Sequence, residues 1–387
     1  MASPIDTAAP AAPILLLVPG EAPSGDSGLE ANPTILGLPL SDRARLAAKR
    51  AGFGQVMAGL PSSEMGPAGA MVIAASDILA EAGWLKAAAG FAGSQWAASD
   101  AVILIPASQV KAALPALRAL PADASLSALR GPLSRALGQA AGIPVAIDPL
   151  RIRNPGDRRA AERRLLRALI KDTDGFMAKH VDRRISLAVS RRLAATSITP
   201  NQMTLISVAF GLLGAPFFLS AQPLWQTIGA LLFLAHSVLD GCDGELARLK
   251  FKESRWGGIL DFWGDNVVHS AIFACIGIGW SWSSGSSWPL LLGIAAVFGT
   301  LGSASLVYWR TMRPKKDAGP LYTSVAKEPG KRFSQVLDAL SRRDFIYGVV
   351  VLALFGWVKY FLALSAIGAP GFFIALVYLA IKEGRSR

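Results

Sequence analysis

The sequence predicts an α-helical integral membrane domain of six transmembrane helices, preceded by a cytoplasmic α/β domain. Three observations carry this. Hydrophobic residues make up 52% of the 387, charged residues only 17%, and the mean hydropathy is +0.40, which is too apolar for a soluble or a disordered chain. The apolar residues are unevenly placed: short runs alternating with helical patterns fill the first 150 positions, and long runs fill the region after Pro200. The net charge of +12 is concentrated too, with thirteen basic against five acidic residues between Arg151 and Arg192. Basic residues beside the first long apolar run suit anionic head groups. No aromatic interleaving or recognition motif accompanies them, so nucleic acid is excluded as the partner.

In the first 155 residues, strands are expected at Ile14–Val18, Gly54–Met57, Ala101–Ile105 and Val145–Asp148, and helices at Ser41–Ala51 and Gln109–Leu120. Strands separated by helices indicate a mainly parallel sheet. Met1–Gly20 has no basic start, and its apolar run is too short for a secretory signal, which places this domain in the cytoplasm. Residues 156–197 form a basic juxtamembrane segment. Within it Asp157–Ile170 predicts an amphipathic helix on the bilayer surface, with Leu165, Leu166, Leu169 and Ile170 opposite the arginines.

Six apolar segments follow in residues 198–387: Met203–Leu219, Leu224–Leu246, Ile259–Trp282, Trp288–Tyr308, Phe345–Leu362 and Leu364–Ile381. Gly368, Pro370 and Gly371 offer another place for the last turn. Several segments approach the roughly 20 residues that span a bilayer. The loops Lys250–Arg255, Arg310–Arg343 and Lys382–Arg387 are rich in Lys and Arg, and the alternate connections carry no charge. An even number of spans with basic loops on one side places both termini in the cytoplasm, in an inner or plasma membrane. Cys242 and Cys275 fall inside spans and are expected as free thiols.

Carboxylates are costly inside a membrane and mark function by default. On a helix Asp240, Asp243, Gly244, Ala247 and Arg248 share one face, and Gly257, Asp261 and Asp265 recur every four residues on another. If the two helices are antiparallel, the four aspartates converge. Such a cluster requires counter-charge, and oxygen-only ligation selects Mg²⁺ or Mn²⁺. Four carboxylates balance two such ions, and two divalent ions about 4 Å apart form a clamp for displacement at phosphorus. Arg248 adds a fixed positive charge for a phosphate. His269 continues the Asp261 and Asp265 face but, as a lone histidine, is left out of the site.

The string D-x2-D-G-x2-A-R-x8-G-x3-D-x3-D at Asp240, Asp243, Gly244, Ala247, Arg248, Gly257, Asp261 and Asp265 resembles the signature of the CDP-alcohol phosphotransferases at every fixed position and spacing. Thr199–Thr204 resembles that family's entry to its first span. The resemblance implies a homodimeric six-helix membrane enzyme that moves a substituted phosphate from a CDP-alcohol donor to an acceptor hydroxyl and releases CMP. It implies Asp240, Asp243 and Asp261 as metal ligands, and Asp265 as the general base, counted with the metal set. Gly244, Ala247, Arg248 and Gly257 would line the nucleotide site, with Pro200, Asn201 and Thr204 contributing. Arg310 and Arg313 follow the fourth span and could hold a phosphorylated acceptor.

Some members of that family carry a nucleotidyltransferase domain ahead of the membrane part, and the order of parts from Asn32 to Gly54 loosely resembles it. From Gly20 to Asp42, however, there is no Lys or Arg, and Pro106-Ala107-Ser108 follows the Ala101–Ile105 strand where a metal-binding aspartate is expected. The first domain is therefore expected to be a degenerate, catalytically silent copy. Two further readings stay open: a chain with both halves active, and a non-enzymatic membrane anchor.

Overall fold

A computed structural model describes residues 12–20, 32–61, 69–90, 95–143, 149–170, 177–313 and 345–385. The chain divides into two compact units, Met1–Leu165 and Leu166–Arg387.

The first unit begins with the apolar strand β1 (Ile14–Val18), followed by a two-stranded hairpin, β2 (Thr34–Ile35) and β3 (Leu38–Pro39). Leu36 and Gly37 take φ of 46° and 80° at its turn. Two positive φ values in succession give the backbone the twist that a tight hairpin needs. Helix α1 (Leu40–Arg50) buries Arg43, whose Nη2 donates to the Ile35 carbonyl at 2.9 Å. Burial pulls this guanidinium down to a pKa of about 10, which leaves it charged at neutral pH. Then come β4 (Gln55–Ala58), β5 (Met71–Ala75), α2 (Ala82–Ala89), β6 (Ala97–Ala98), β7 (Val102–Ile105), α3 (Ala107–Arg118), α4 (Leu126–Leu137), β8 (Ala141–Gly142) and α5 (Pro155–Arg167).

The main sheet has the order β4-β1-β5-β7-β6-β8. Its β1 pairs are parallel, but β7 runs antiparallel to both β5 and β6, so the sheet is mixed where a mainly parallel one was expected. The cause is local: only three residues separate β6 from β7, and Ser99 N donates to the Val102 carbonyl at 2.8 Å. A connection that short closes only an antiparallel pair. β5, absent from the strands expected above, is buried throughout and sits between β1 and β7. The strand expected at Val145–Asp148 lies outside the described residues. Past β5, Asp77 receives the Arg151 guanidinium at 2.6 to 3.2 Å, while Arg151 Nη1 donates to the Asp100 carbonyl at 2.7 Å. Helix α5 ends at Arg167, three residues before the expected boundary, and Ala161 is its one buried residue.

The second unit is helical: α6 (Arg183–Ala194) after a π turn, α7 (Pro200–Gly214) extended by a 3-10 turn to Leu219, α8 (Pro223–Leu249), α9 (Arg255–Ser284), α10 (Trp288–Val307), α11 (Phe345–Leu354) and α12 (Val358–Arg385). Among the described residues, four helices are long and apolar enough to cross a membrane: Pro200–Leu219, Arg255–Ser284, Trp288–Arg310 and Val358–Lys382. The second unit is thus that of an integral membrane protein. Its outer surface is apolar, with Leu213, Leu291, Phe298, Leu364 and Ile367 exposed by 65% or more. Its helix contacts use small residues, as in membranes generally. Gly214 meets Gly229 between α7 and α8, Gly277 meets Gly293 between α9 and α10, and a Cβ on Gly299 would fall 2.3 Å from Pro370 N of α12.

The break between the last two helices is not at Leu362–Leu364, nor at Gly368–Gly371. It falls at Phe355-Gly356-Trp357. Gly356 has φ of 68°, its N–H donates to the Ala353 carbonyl, and Trp357 N–H donates to the Leu352 carbonyl. This pair of bonds around a left-handed glycine satisfies the last carbonyls of a helix. Pro370 instead lies inside α12, which the surroundings of a membrane helix tolerate.

Candidate active site

The acidic helix α8 ends beside the start of α9, and the connection is built to keep them close. Ser254 caps α9 by accepting the Gly257 N–H at 3.0 Å. Lys250, at the end of α8, donates through Nζ to the carbonyls of Thr196 and Ile198 at 2.7 and 2.8 Å, tying the α8 terminus to the loop before α7. Desolvation lowers the pKa of this ammonium, and neighbouring Lys252 adds to the effect. Helix α7 opens with a reciprocal capping box, in which Gln202 N–H donates to Thr199 Oγ1 and Thr199 N–H to Gln202 Oε1, with Pro200 in the first turn.

Within this frame Asp240, Asp261 and Asp265 come together, with one carboxylate oxygen from each within 4.8 Å of the others. Asp240 is only 4% exposed. Asp261 Oδ1 is buried and has no hydrogen-bond partner among the described residues. Asp243, also buried, accepts the hydroxyl of Thr204 through Oδ2. Three of the four aspartates therefore converge directly, and the fourth is engaged by α7. A buried oxygen with no donor in a group of hard carboxylate ligands fits a divalent cation, which would satisfy it.

The other residues of the motif surround this cluster. A Cβ on Gly244 would lie 3.3 Å from Arg248 Nη1, so the guanidinium folds back against the backbone at that glycine. A Cβ on Gly257 would come within 2.8 Å of Asn201 Oδ1, so the Asn201 side chain rests against the bare backbone of this glycine. Ala247 is half-buried on the same α8 face. Pro200 and Thr204 are buried on α7. Arg310 and Arg313 are exposed at the end of α10. The Arg313 guanidinium lies 4.0 Å from the Trp309 ring centroid, and its carbonyl accepts from Arg255 Nη2 at 3.1 Å.

Two participants escaped the sequence reading. Glu245, fully buried, accepts from Arg183 Nη1 at 2.8 Å and from the hydroxyls of Ser186 and Ser190, both at 2.7 Å, so α6 supplies its entire set of donors named here. His236, 2% exposed, sits four residues before Asp240 and directs Nε2 to Asp265 Oδ1 at 3.4 Å. That i−4 spacing was the available signal. His269, by contrast, packs edge-on to Phe233, ring centroids 5.4 Å apart.

A helical membrane unit with an acidic cluster on two adjoining helices defines a class, and comparison specifies it. Residues 197–337 match the model of the CDP-alcohol phosphatidyltransferase family. The chain is 34% identical over 187 residues to the bifunctional IPC transferase and DIPP synthase of Thermococcus kodakarensis, covering 47% of this chain and 40% of that protein. It is 28% identical over 233 residues to the protein of the same name from Aquifex aeolicus, covering 59% and 50%. It is 29% identical to the archaetidylinositol phosphate synthase of Pyrococcus horikoshii, covering 44% of this chain and 85% of that protein. The match thus spans half or less of the length of the bifunctional relatives.

Proposed function

We propose that this protein transfers a substituted phosphate from a CDP-alcohol to an acceptor hydroxyl, releasing CMP, in phospholipid or polyol-phosphodiester synthesis. The observation that carries the reading is the convergence of Asp240, Asp261 and Asp265 at a buried, donor-poor carboxylate oxygen inside a CDP-alcohol phosphatidyltransferase domain. Asp240, Asp243 and Asp261 would hold two divalent cations, Mg²⁺ or Mn²⁺, with Asp265 counted in the metal set. When bound, such an ion neutralises pyrophosphate charge and polarises the phosphorus under attack.

The chain's own residues do the rest. Asp265 takes the proton of the acceptor hydroxyl, whose oxygen forms a bond to the phosphorus bearing the alcohol; the bridging P–O bond breaks, and CMP departs with its electron pair. Gly244 and Gly257 keep the helix backbones accessible to the diphosphate, and Arg248 meets its charge. Asn201 at the start of α7 lies beside Gly257 and contributes to the nucleotide side of the pocket, with Pro200, Thr204 and Ala247.

The acceptor is read as phosphate-bearing. Two arginines, Arg310 and Arg313, stand exposed at the end of α10, and the Pyrococcus horikoshii relative is named for an inositol phosphate product. Six spans, cytoplasmic termini and a homodimer complete the reading. The first unit is taken as a degenerate nucleotidyltransferase-like domain. The second reading, with both units active, draws on the names of the bifunctional relatives. The test is CMP release by the full-length protein in detergent with Mg²⁺ or Mn²⁺. Donors are CDP-diacylglycerol, CDP-inositol and CDP-glycerol; acceptors are inositol phosphate, glycerol phosphate and serine. Release from at least one pair is expected, and silence across the panel from folded protein sinks the proposal. Pyrophosphate release from CTP and a phosphorylated alcohol would favour the second reading.

A further inference from the structure

An imidazole buried within a membrane helix is expensive unless both of its nitrogens are used. His236 uses both. Nδ1 lies 2.9 Å from the Ser207 carbonyl of α7, and because a carbonyl only accepts, Nδ1 carries the hydrogen. Nε2 therefore faces Asp265 Oδ1 of α9, at 3.4 Å. The ring is held on its other sides as well. Phe233 stacks on it with centroids 6.2 Å apart, and a Cβ on Gly211 would lie 3.1 Å from its Cγ. An unbroken chain of contacts runs from the α7 backbone through a clamped ring to a carboxylate of the acidic cluster.

We infer that His236 is a positioning residue that orients the Asp265 carboxylate toward the acceptor hydroxyl, an inference that rests on the phosphotransferase reading above. An aspartate swings about two side-chain torsions. Holding one of its oxygens fixes the plane of the carboxylate and hence the direction of the other oxygen. Proton abstraction requires that direction, and misplacement by about 1 Å costs on the order of 10²-fold in rate. The donor nucleotide binds through other residues, so its affinity should not register the change.

Three variants of the full-length protein separate positioning from packing. His236→Phe should lower kcat about 10²-fold and leave the KM for the CDP-alcohol within about twofold, because it removes an interaction used in the chemical step and not in donor binding. His236→Gln keeps an amide N–H at the reach of Nε2 and should recover at least about tenfold of the loss. His236→Asn, shorter and able to reach only the Ser207 carbonyl, should not. Thermal melts in detergent check that each variant folds. If His236→Phe does not, the Gln and Asn pair decides alone. Equal kcat for Gln and Asn, or kcat near wild type in all folded variants, would falsify the positioning role and make His236 a packing residue. A wild-type protein that releases no CMP overturns the phosphotransferase reading itself, and this inference with it.

Discussion

Two buried acidic sites lie within one stretch of α8, and they are handled in opposite ways. Glu245 is enclosed by one guanidinium and two hydroxyls from α6, all at 2.7 to 2.8 Å. Five residues earlier, Asp240 is packed against Asp261 and Asp265, where Asp261 Oδ1 is buried without a donor among the described residues. Both sites bury carboxylate charge, which costs several kcal/mol per ion when uncompensated. In the first the protein supplies the compensation. In the second it gathers more negative charge, and an arrangement of that kind is stabilised by a cation or substrate from outside. Under the proposed function, the difference separates a carboxylate that holds the fold from carboxylates that act.

The comparison predicts opposite responses, which can be ranked. Removing divalent cations with EDTA should abolish CMP release, with recovery on adding Mg²⁺ or Mn²⁺; full activity in chelator would end the distinction between the sites. In the same vein, saturating cation should stabilise the wild type by mass action, about 2.7 kcal/mol at a hundred times its Kd, read as a higher melting temperature, and Asp261→Asn should remove that rise. Next, Asp265→Asn should reduce turnover by about 10²- to 10⁴-fold, the usual contribution of a positioned base. Binding of CDP, followed by calorimetry, should persist in that variant.

Glu245→Ala should lower stability by about 3–5 kcal/mol, because it strands Arg183 in a largely buried position. Unfolding in detergent measures this, and Glu245→Gln should cost less while sparing CMP release per folded molecule. A Glu245→Ala protein as stable as wild type would show that α6 does not depend on this carboxylate. The smallest effect concerns the rim: Arg310→Gln with Arg313→Gln should raise the KM of a phosphorylated acceptor about tenfold, the equivalent of about 1.4 kcal/mol, and leave that of the CDP-alcohol nearly unchanged. Equal changes in both, or none, would reduce these arginines to basic residues at a membrane boundary.

The acidic site was legible because helical periodicity is a local property. Asp240 with Asp243, and Asp261 with Asp265, share faces by spacing alone, and the short loop between them brings the faces together. Partners contributed by a third helix were not legible. Nothing in the order of residues says that Thr204 reaches Asp243, or that Ser186 and Ser190 reach Glu245, since each pair is separated by 39 residues or more. His236 stands between these cases: its place on the Asp240 face is periodic, but its contact with Asp265 depends on how α7, α8 and α9 meet.

The two units differ in the same respect. In the helical unit, composition marked the apolar stretches that became long helices, because a bilayer demands internal backbone hydrogen bonding from each one, though not the break at Phe355-Gly356-Trp357. In the sheet, strand direction depends on loop length and neighbours. The three residues between β6 and β7 forced the antiparallel pairing, and alanine-rich β5 became a central strand only once β1 and β7 covered its edges. The sequence by itself determined that this protein carries spaced carboxylates on helices of its apolar half, a costly pattern. Only the tertiary structure decided which of those carboxylates α6 neutralises and which converge. That choice rests on donors brought from distant positions, and hydrogen bonds act over about 3 Å of space whatever the distance along the chain.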